Sequence, residues 1–241
     1  MYLLTGDKMA LLIDTGINKG DLRGFVSSLT GLPVTVVCTH GHFDHIGCAW
    51  QFGGALVSDD DDKLLADHLD QNYLKSLIKK EYSPLFCRLA KKIIDKLTIP
   101  PPKTTWAHLP ESIELGNRRI EVIKTPGHTT GSVCFLDRKN KMLFSGDTVC
   151  DWGILLHLDG TDVSTYLQSV KKLKALESEF DDIWPGHHGA PVKRGTLGWY
   201  VACAEGVLTG EIKPQKQKRK RVAKHKEILI TLPNEEESYG S

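Results

Sequence analysis

Short apolar runs rich in valine, isoleucine and leucine recur along the chain, and each stops at a glycine, a proline or a polar residue. Runs of this length with such endings are typical of β-strands. Strands are predicted at residues 9–14, 34–39, 120–125, 132–137, 141–145 and 182–185. The pattern therefore predicts a protein with a substantial sheet content.

Helical periodicity fills the stretches between these strands. Residues 62–97 carry apolar side chains at intervals of three and four, and Pro84 is expected to divide this stretch in two. Residues 161–180 show a cleaner apolar face, with Thr161 or Asp162 available as the helix N-cap. Strands that alternate with helices predict an α/β protein whose sheet is covered by helices.

Composition and charge indicate where the protein is located in the cell and which partners it lacks. The 241 residues are 40% hydrophobic with a formal net charge of +1, so no overall field attracts nucleic acid or an anionic membrane. No stretch approaches the roughly 20 apolar residues of a membrane span, and the first residues do not resemble a secretory signal. The six cysteines are scattered without a Cys-x-x-Cys pair. A cytoplasmic location without a membrane partner is expected.

Four potential metal ligands follow the predicted strand at residues 34–39. They are His40, His42, Asp44 and His45. Neutral imidazole and carboxylate groups are ligands suited to zinc, iron and manganese, and a loop leaving a strand can turn alternate side chains toward one point. This spacing predicts a metal site.

Three later strand ends repeat the arrangement. In each, an apolar run stops, a glycine permits a sharp turn, and a ligand-type residue follows: His128, Asp147 and His187. A single histidine after a strand is more often structural. Four such strand ends, expected along the same edge of one sheet, predict a convergent site, because open α/β sheets bind ligands beyond the carboxyl ends of their strands.

Five ordered motifs carry a family resemblance. They are Leu12-Ile13-Asp14-Thr15-Gly16, His40-Gly41-His42-Phe43-Asp44-His45, Pro126-Gly127-His128, Gly146-Asp147 and Pro185-Gly186-His187. In order and spacing they resemble the metallo-β-lactamase superfamily. The resemblance implies an αββα four-layer sandwich, with residues 1–209 as the catalytic domain and residues 210–241 as a basic C-terminal extension containing a short terminal strand.

The resemblance also implies a ligand set for two divalent metal ions, zinc first, with iron or manganese as alternatives. The first ion would be held by His40, His42 and His128. The second would be held by Asp44, His45 and His187. Asp147 would bridge both, and Asp14 would brace the ligand loop from behind.

A dinuclear site of this kind indicates hydrolysis by a metal-bound hydroxide, with Asp44 and Asp147 as the catalytic residues that orient it or shuttle its proton. A carboxylate at Asp147 resembles the glyoxalase II, lactonase and acyl-CoA thioesterase branches, whereas the first two antibiotic-cleaving subclasses have a cysteine there. The expected substrate is therefore a small thioester or related activated acyl compound: an acylglutathione, an acyl-CoA or a lactone. Three alternatives stay open: an Asp-bridged β-lactam hydrolase, a mono-iron persulfide dioxygenase, and a two-metal nuclease or phosphodiesterase.

Several other features receive no role in this site. The basic tract at residues 216–226 is interpreted as a solvated loop before a terminal strand, because it lacks the aromatic residues of nucleic-acid surfaces, although it could attract coenzyme A phosphates.

The acidic run at residues 59–62 is assigned to a helix N-terminus. Trp152 and His157 are considered for the mouth of the substrate site. Three histidines are given no ligand role: His68, His108 and His188. The oligomeric state is left open.

Overall fold

The computed structural model describes residues 1–81, 104–151, 153–188, 191–217 and 220–234. It divides the chain into two compact units. The N-terminal unit comprises Met1–Leu109 and Glu114–Arg118, and the C-terminal unit comprises Pro110–Ile113 and Arg119–Ser241. The part of the predicted helical stretch beyond residue 81 lies outside the described residues, as does Trp152.

The N-terminal unit is built on a five-stranded sheet in the order β1-β2-β3-β4-β5. Its strands are β1 (Tyr2–Thr5), β2 (Ala10–Ile13), β3 (Val34–Val37), β4 (Gly54–Val57) and β5 (Thr105–His108). β1 is antiparallel to β2, and the other neighbours are parallel. Because β2 and β3 run the same way, the segments that follow them, which begin with Asp14 and with the His40 loop, leave the same edge of this sheet.

Among the described residues of this unit, four α-helices accompany the sheet: α1 (Leu22–Leu29), α2 (Phe43–Ile46), α3 (Asp62–His68) and α4 (Gln71–Glu81). Asp21 caps α1 by accepting a hydrogen bond from the Gly24 backbone N–H at 2.8 Å. Apolar residues of the strands and helices form one buried cluster: Leu12, Val26, Val36, Ile46, Val57 and Leu65. Burial of this cluster fixes the segment between β3 and α3, which carries the histidine motif.

The C-terminal unit contains a six-stranded sheet in the order β12-β11-β9-β8-β7-β6. Its strands are β6 (Ser112–Glu114), β7 (Arg119–Lys124), β8 (Val133–Asp137), β9 (Met142–Gly146), β11 (Asp182–Pro185) and β12 (Val192–Lys193). β8 is antiparallel to both β7 and β9, and β11 is parallel to β9. β7, β9 and β11 therefore run in the same direction and end at one edge.

A second sheet of this unit has the order β10-β15-β14-β13. Its strands are β10 (Ile154–Leu155), β13 (Gln215–Gln217), β14 (Lys220–His225) and β15 (Ile228–Pro233). Where it is described, the basic tract thus forms paired strands and not the expected solvated loop. The reason is long-range pairing: Ala223 of β14 is fully buried opposite Ile230 of β15, so the backbone is held in the sheet.

Two α-helices of the described part of the C-terminal unit pack on its core: α5 (Val163–Ala175) and α6 (Leu197–Thr209). Asp162 is the N-cap of α5 and accepts from the Thr165 backbone N–H at 2.9 Å, a hydrogen bond that lowers the pKa of the Asp162 carboxyl. α5 confirms the helix predicted within residues 161–180. Each helix has 13 residues, and none of the described helices is long and apolar enough to cross a membrane.

Candidate metal centre

The histidine motif of the N-terminal unit forms the loop between β3 and α2. His40, His42 and His45 are all buried. The Nε2 atom of His40 lies 3.0 Å from the Nδ1 atom of His42. Two imidazole nitrogens bound to one tetrahedral zinc at about 2.0–2.1 Å stand roughly 3.3 Å apart. The observed separation therefore suits two ligands of a single ion.

Asp14 braces this loop from the end of β2. Its Oδ1 atom accepts from the Thr39 backbone N–H at 2.7 Å, and its Oδ2 atom lies 2.9 Å from His45 Nδ1. Because a carboxylate only accepts, His45 Nδ1 carries a proton, and Nε2 is the ring nitrogen left for a metal ion. The Nε2 atom lies 3.8 Å from an Asp44 carboxylate oxygen. His45 and Asp44 thus present a nitrogen and an oxygen donor side by side.

Two further residues hold the motif loop and were not predicted to do so. Asp61 is buried, and its carboxylate accepts from the Gly41 backbone N–H at 2.9 Å. The helix-terminus interpretation of the acidic run therefore missed the contact that Asp61 makes. His68 Nδ1 accepts from the Phe43 backbone N–H at 3.2 Å, and its ring centroid lies 4.7 Å from that of His42. No local sequence signal reports either contact, because each spans 20 or more positions.

The ligand-type residues of the C-terminal unit converge at one sheet edge. His128 follows β7, Asp147 follows β9 and His187 follows β11. One carboxylate oxygen, Asp147 Oδ2, lies 3.5 Å from His128 Nε2 and 3.2 Å from His187 Nε2. A single oxygen between two imidazole nitrogens suits a carboxylate that is shared by two cations.

The expectation that all four strand ends lie along one sheet is wrong. β3, which precedes the histidine motif, belongs to the five-stranded sheet, whereas β7, β9 and β11 belong to the six-stranded sheet. Strand pairing is set by contacts between distant segments, and the order of motifs along the chain does not encode it.

The orientation of His128 is fixed by a backbone acceptor. Its Nδ1 atom lies 2.9 Å from the carbonyl oxygen of Leu155 in β10. A carbonyl accepts, so Nδ1 bears a proton, and Nε2, on the side of Asp147, is the ring nitrogen left for a metal ion. Metal-binding histidines commonly have this arrangement, in which a hydrogen bond at one ring nitrogen orients the other toward the ion.

Two buried tyrosines support the segment that carries Asp147. Tyr166 of α5 donates its hydroxyl proton to the Thr148 carbonyl at 3.1 Å, and Tyr200 of α6 donates to the Cys150 carbonyl. Burial raises the pKa of both phenols, so both stay protonated donors at neutral pH. The sequence pattern identified Tyr166 only as part of an apolar helix face.

Cys150 does not offer a protein nucleophile beside Asp147. Burial raises the pKa of its thiol well above the ordinary value, and the negative charge of Asp147 raises it further. Cys134 is also buried, and its pKa is raised to about 11. A thiol with such a pKa is neutral near pH 7, and the nucleophilic species is the thiolate.

Gly127 of the Pro-Gly-His motif lies against Tyr166. A Cβ atom at this position would stand 2.6 Å from Cδ2 of the tyrosine ring, so Gly127→Ala must displace the ring or the turn. We expect Gly127→Ala to lower the free energy of unfolding by about 1–3 kcal/mol. Gly198→Ala is the matched control, because a Cβ there meets nothing within 4 Å and alanine favours helix. Equal melting temperatures of the two variants would contradict the crowding argument.

The donor chemistry of these residues fits divalent metal ions. Imidazole nitrogens and carboxylate oxygens suit zinc, iron and manganese, and His45 and His128 each use Nδ1 for a hydrogen bond, which leaves Nε2 as the ring nitrogen that can bind a metal ion. Neither histidine needs to change its tautomer to bind a cation.

Comparisons with known proteins agree with this chemistry. Residues 1–187 match the Metallo-beta-lactamase superfamily, and the chain belongs to that superfamily. Human acyl-coenzyme A thioesterase MBLAC2 is 28% identical over 204 residues, covering 78% of this chain and 72% of the human protein. Hydroxyacylglutathione hydrolase GloC of Haemophilus influenzae is 26% identical over 193 residues, covering 76% of this chain and 82% of GloC. The chain is thus a metallo-hydrolase similar to these enzymes.

A solved structure confirms the fold. The crystal structure of TTHA1623 in a di-iron-bound form superposes with a TM-score of 0.58 at 26% sequence identity, covering 82% of this chain and 90% of the other. The predicted α/β class and metallo-β-lactamase fold are therefore confirmed. Membership of the superfamily, together with the His and Asp side chains described above, implies that the protein binds a divalent metal.

Proposed function

We propose that the protein is a dinuclear metal-dependent thioesterase that acts on small acyl thioesters. His40, His42 and His128 would hold the first ion, and Asp44, His45 and His187 the second. Asp147 would bridge the two ions. The observation that carries this proposal is the position of Asp147 Oδ2, 3.5 Å from His128 Nε2 and 3.2 Å from His187 Nε2.

The protein residues have distinct tasks in this proposal. Two bound divalent ions would lower the pKa of a shared water and polarise the substrate carbonyl. Asp147 and Asp44 orient the attacking water or shuttle its proton through their carboxylate oxygens. Asp14 and the Leu155 carbonyl keep His45 and His128 in the tautomer with a free Nε2 lone pair.

Thioesters are the substrate class that best suits this set of residues. A thiolate leaving group has a pKa of about 8–9, so it departs without strong acid catalysis. The two relatives described above are named for the hydrolysis of acyl-coenzyme A and of hydroxyacylglutathione, both of which are thioesters. We propose zinc as the resident metal, with iron as the competing choice because TTHA1623 was solved in a di-iron form.

Metal analysis coupled to a thiol-release assay tests the proposal. We expect two ions per chain and thiol release from acyl-CoA or acylglutathione. A lactone and a β-lactam serve as comparison substrates. Chelation should abolish turnover, and added Zn²⁺ should restore it. One iron per chain together with oxygen consumption on a persulfide would contradict the proposal, as would hydrolysis that survives complete metal removal.

Two adjacent histidines provide an internal control for the ligand assignment. We expect His187→Ala to lose about one ion per chain and most of its turnover, because Nε2 of His187 lies 3.2 Å from Asp147. His188 is exposed and has a positive φ of 73°, and His188→Ala should keep both ions. Equal metal contents of the two variants would argue against a ligand role for His187.

A further inference from the structure

A basic cleft lies on the second sheet of the C-terminal unit. It has a volume of about 570 Å³, and its lining includes Lys213, Lys220 and Lys224 above an apolar floor formed by Val222 and Leu229. No acidic side chain is among its lining residues in the part of the chain that the structure describes. The cleft therefore combines a concentration of positive charge with an apolar surface.

Strand register explains why the lysines share one face. Lys220, Val222 and Lys224 alternate along β14, so their side chains point to the same side of the sheet. Their partners on β15 include Thr231 opposite Val222 and Leu229 opposite Lys224. The opposite face of β14 carries Ala223, which is buried in the core. The lysine face is therefore the outer face of this sheet.

The same sheet leads from the cleft to His128. Leu155 of β10 pairs with Thr231 of β15, and its carbonyl accepts the hydrogen bond from His128 Nδ1. Neighbouring strands lie about 4.8 Å apart, which places β14 roughly 10 Å and β13 roughly 14 Å from β10. A ligand lying along this face would have one end at the lysines and the other near the strand that orients His128.

We propose that this cleft binds the phosphorylated nucleotide end of a coenzyme A thioester. The inference rests on the proposed thioesterase function and selects among its substrates. Three lysines at one place match the clustered charges of phosphate groups, and Val222 and Leu229 offer a surface for the adenine ring. Glutathione carries only separated carboxylates, so it does not match this charge cluster.

The test compares acyl-CoA with the matching acyl-pantetheine, which has the same thioester but no nucleotide. Lys220→Gln combined with Lys224→Gln should raise KM for acyl-CoA about tenfold or more, since the loss of charge-assisted contacts to phosphate weakens binding. The kcat for acyl-CoA and both constants for acyl-pantetheine should stay unchanged. The control is Lys216→Gln. Lys216 pairs with Arg221, so its side chain points to the face of the sheet opposite the cleft.

Binding of coenzyme A, measured by calorimetry, separates this inference from the proposed function. We expect the double lysine variant to bind coenzyme A at least about tenfold more weakly, and wild-type binding to weaken as salt is raised. Equal kcat/KM values of the wild type for acyl-CoA and acyl-pantetheine would overturn the cleft assignment while leaving thioesterase activity intact. Tighter binding of an RNA oligonucleotide than of coenzyme A would overturn it too. Absence of any thioester hydrolysis would instead refute the proposed function.

Discussion

Asp147→Asn is expected to lower kcat/KM for thioester hydrolysis by about a thousandfold or more while the protein stays folded. The substitution preserves the size of the side chain but removes its charge and replaces one oxygen with an NH₂ group, which cannot bind a cation. In the protein, Oδ2 of Asp147 lies within 3.5 Å of the Nε2 atoms of both His128 and His187. In the proposed dinuclear site, asparagine would neither balance the charge of two cations nor accept the proton of the attacking water.

The matched control is Asp151→Asn. Asp151 lies four positions further along the same segment and is exposed. It should therefore tolerate the same change with little effect on rate. Steady-state kinetics, metal content and thermal unfolding of both variants make the comparison. If Asp147→Asn kept a tenth of the wild-type kcat/KM with two ions bound, Asp147 would be neither the bridging ligand nor the proton acceptor.

The elements that could be predicted from sequence are those whose information is local. The strand predicted at residues 34–39 appears as β3 at Val34–Val37, and the one at 182–185 appears with the same bounds as β11. Alternation, β-branched residues and a terminating glycine or proline lie within each such segment. The same is true of the histidine motif, because its three histidines and Asp44 all lie within six positions directly after one strand.

Features that depend on distant partners could not be predicted. The division of the strands between separate sheets depends on pairing, and so does the incorporation of the basic tract into β13 and β14. α6 was missed because its sequence, from Leu197 to Thr209, is apolar on most sides and shows no clear amphipathic stripe. The supporting contacts of Asp61 and Tyr200 join residues 20 and 50 positions apart, and no spacing rule identifies them.

Asp14→Asn is expected to weaken metal binding at His45 by about 10–100-fold and to lower the free energy of unfolding by about 1–3 kcal/mol. Asp14 has a φ of 59°, a conformation that asparagine tolerates as well as aspartate does, so the variant changes the hydrogen bonds and not the backbone. The carboxylate accepts from the Thr39 backbone N–H at one oxygen and from His45 Nδ1 at the other. Asparagine offers only one oxygen for these two donors.

Each orientation of the asparagine amide has a cost, and the two costs can be measured separately. If its NH₂ group faces His45, the imidazole must accept at Nδ1 and carry its proton on Nε2, the atom proposed to bind metal. If the NH₂ group faces Thr39, a buried backbone N–H loses its acceptor.

Asp137→Asn is the matched control, because Asp137 is fully buried and accepts from Asn140 in the turn between β8 and β9. Both variants should melt at lower temperature, but only Asp14→Asn should lose metal in a competition titration with a chelator. Equal metal affinities would mean that Asp14 stabilises the loop without setting the tautomer of His45.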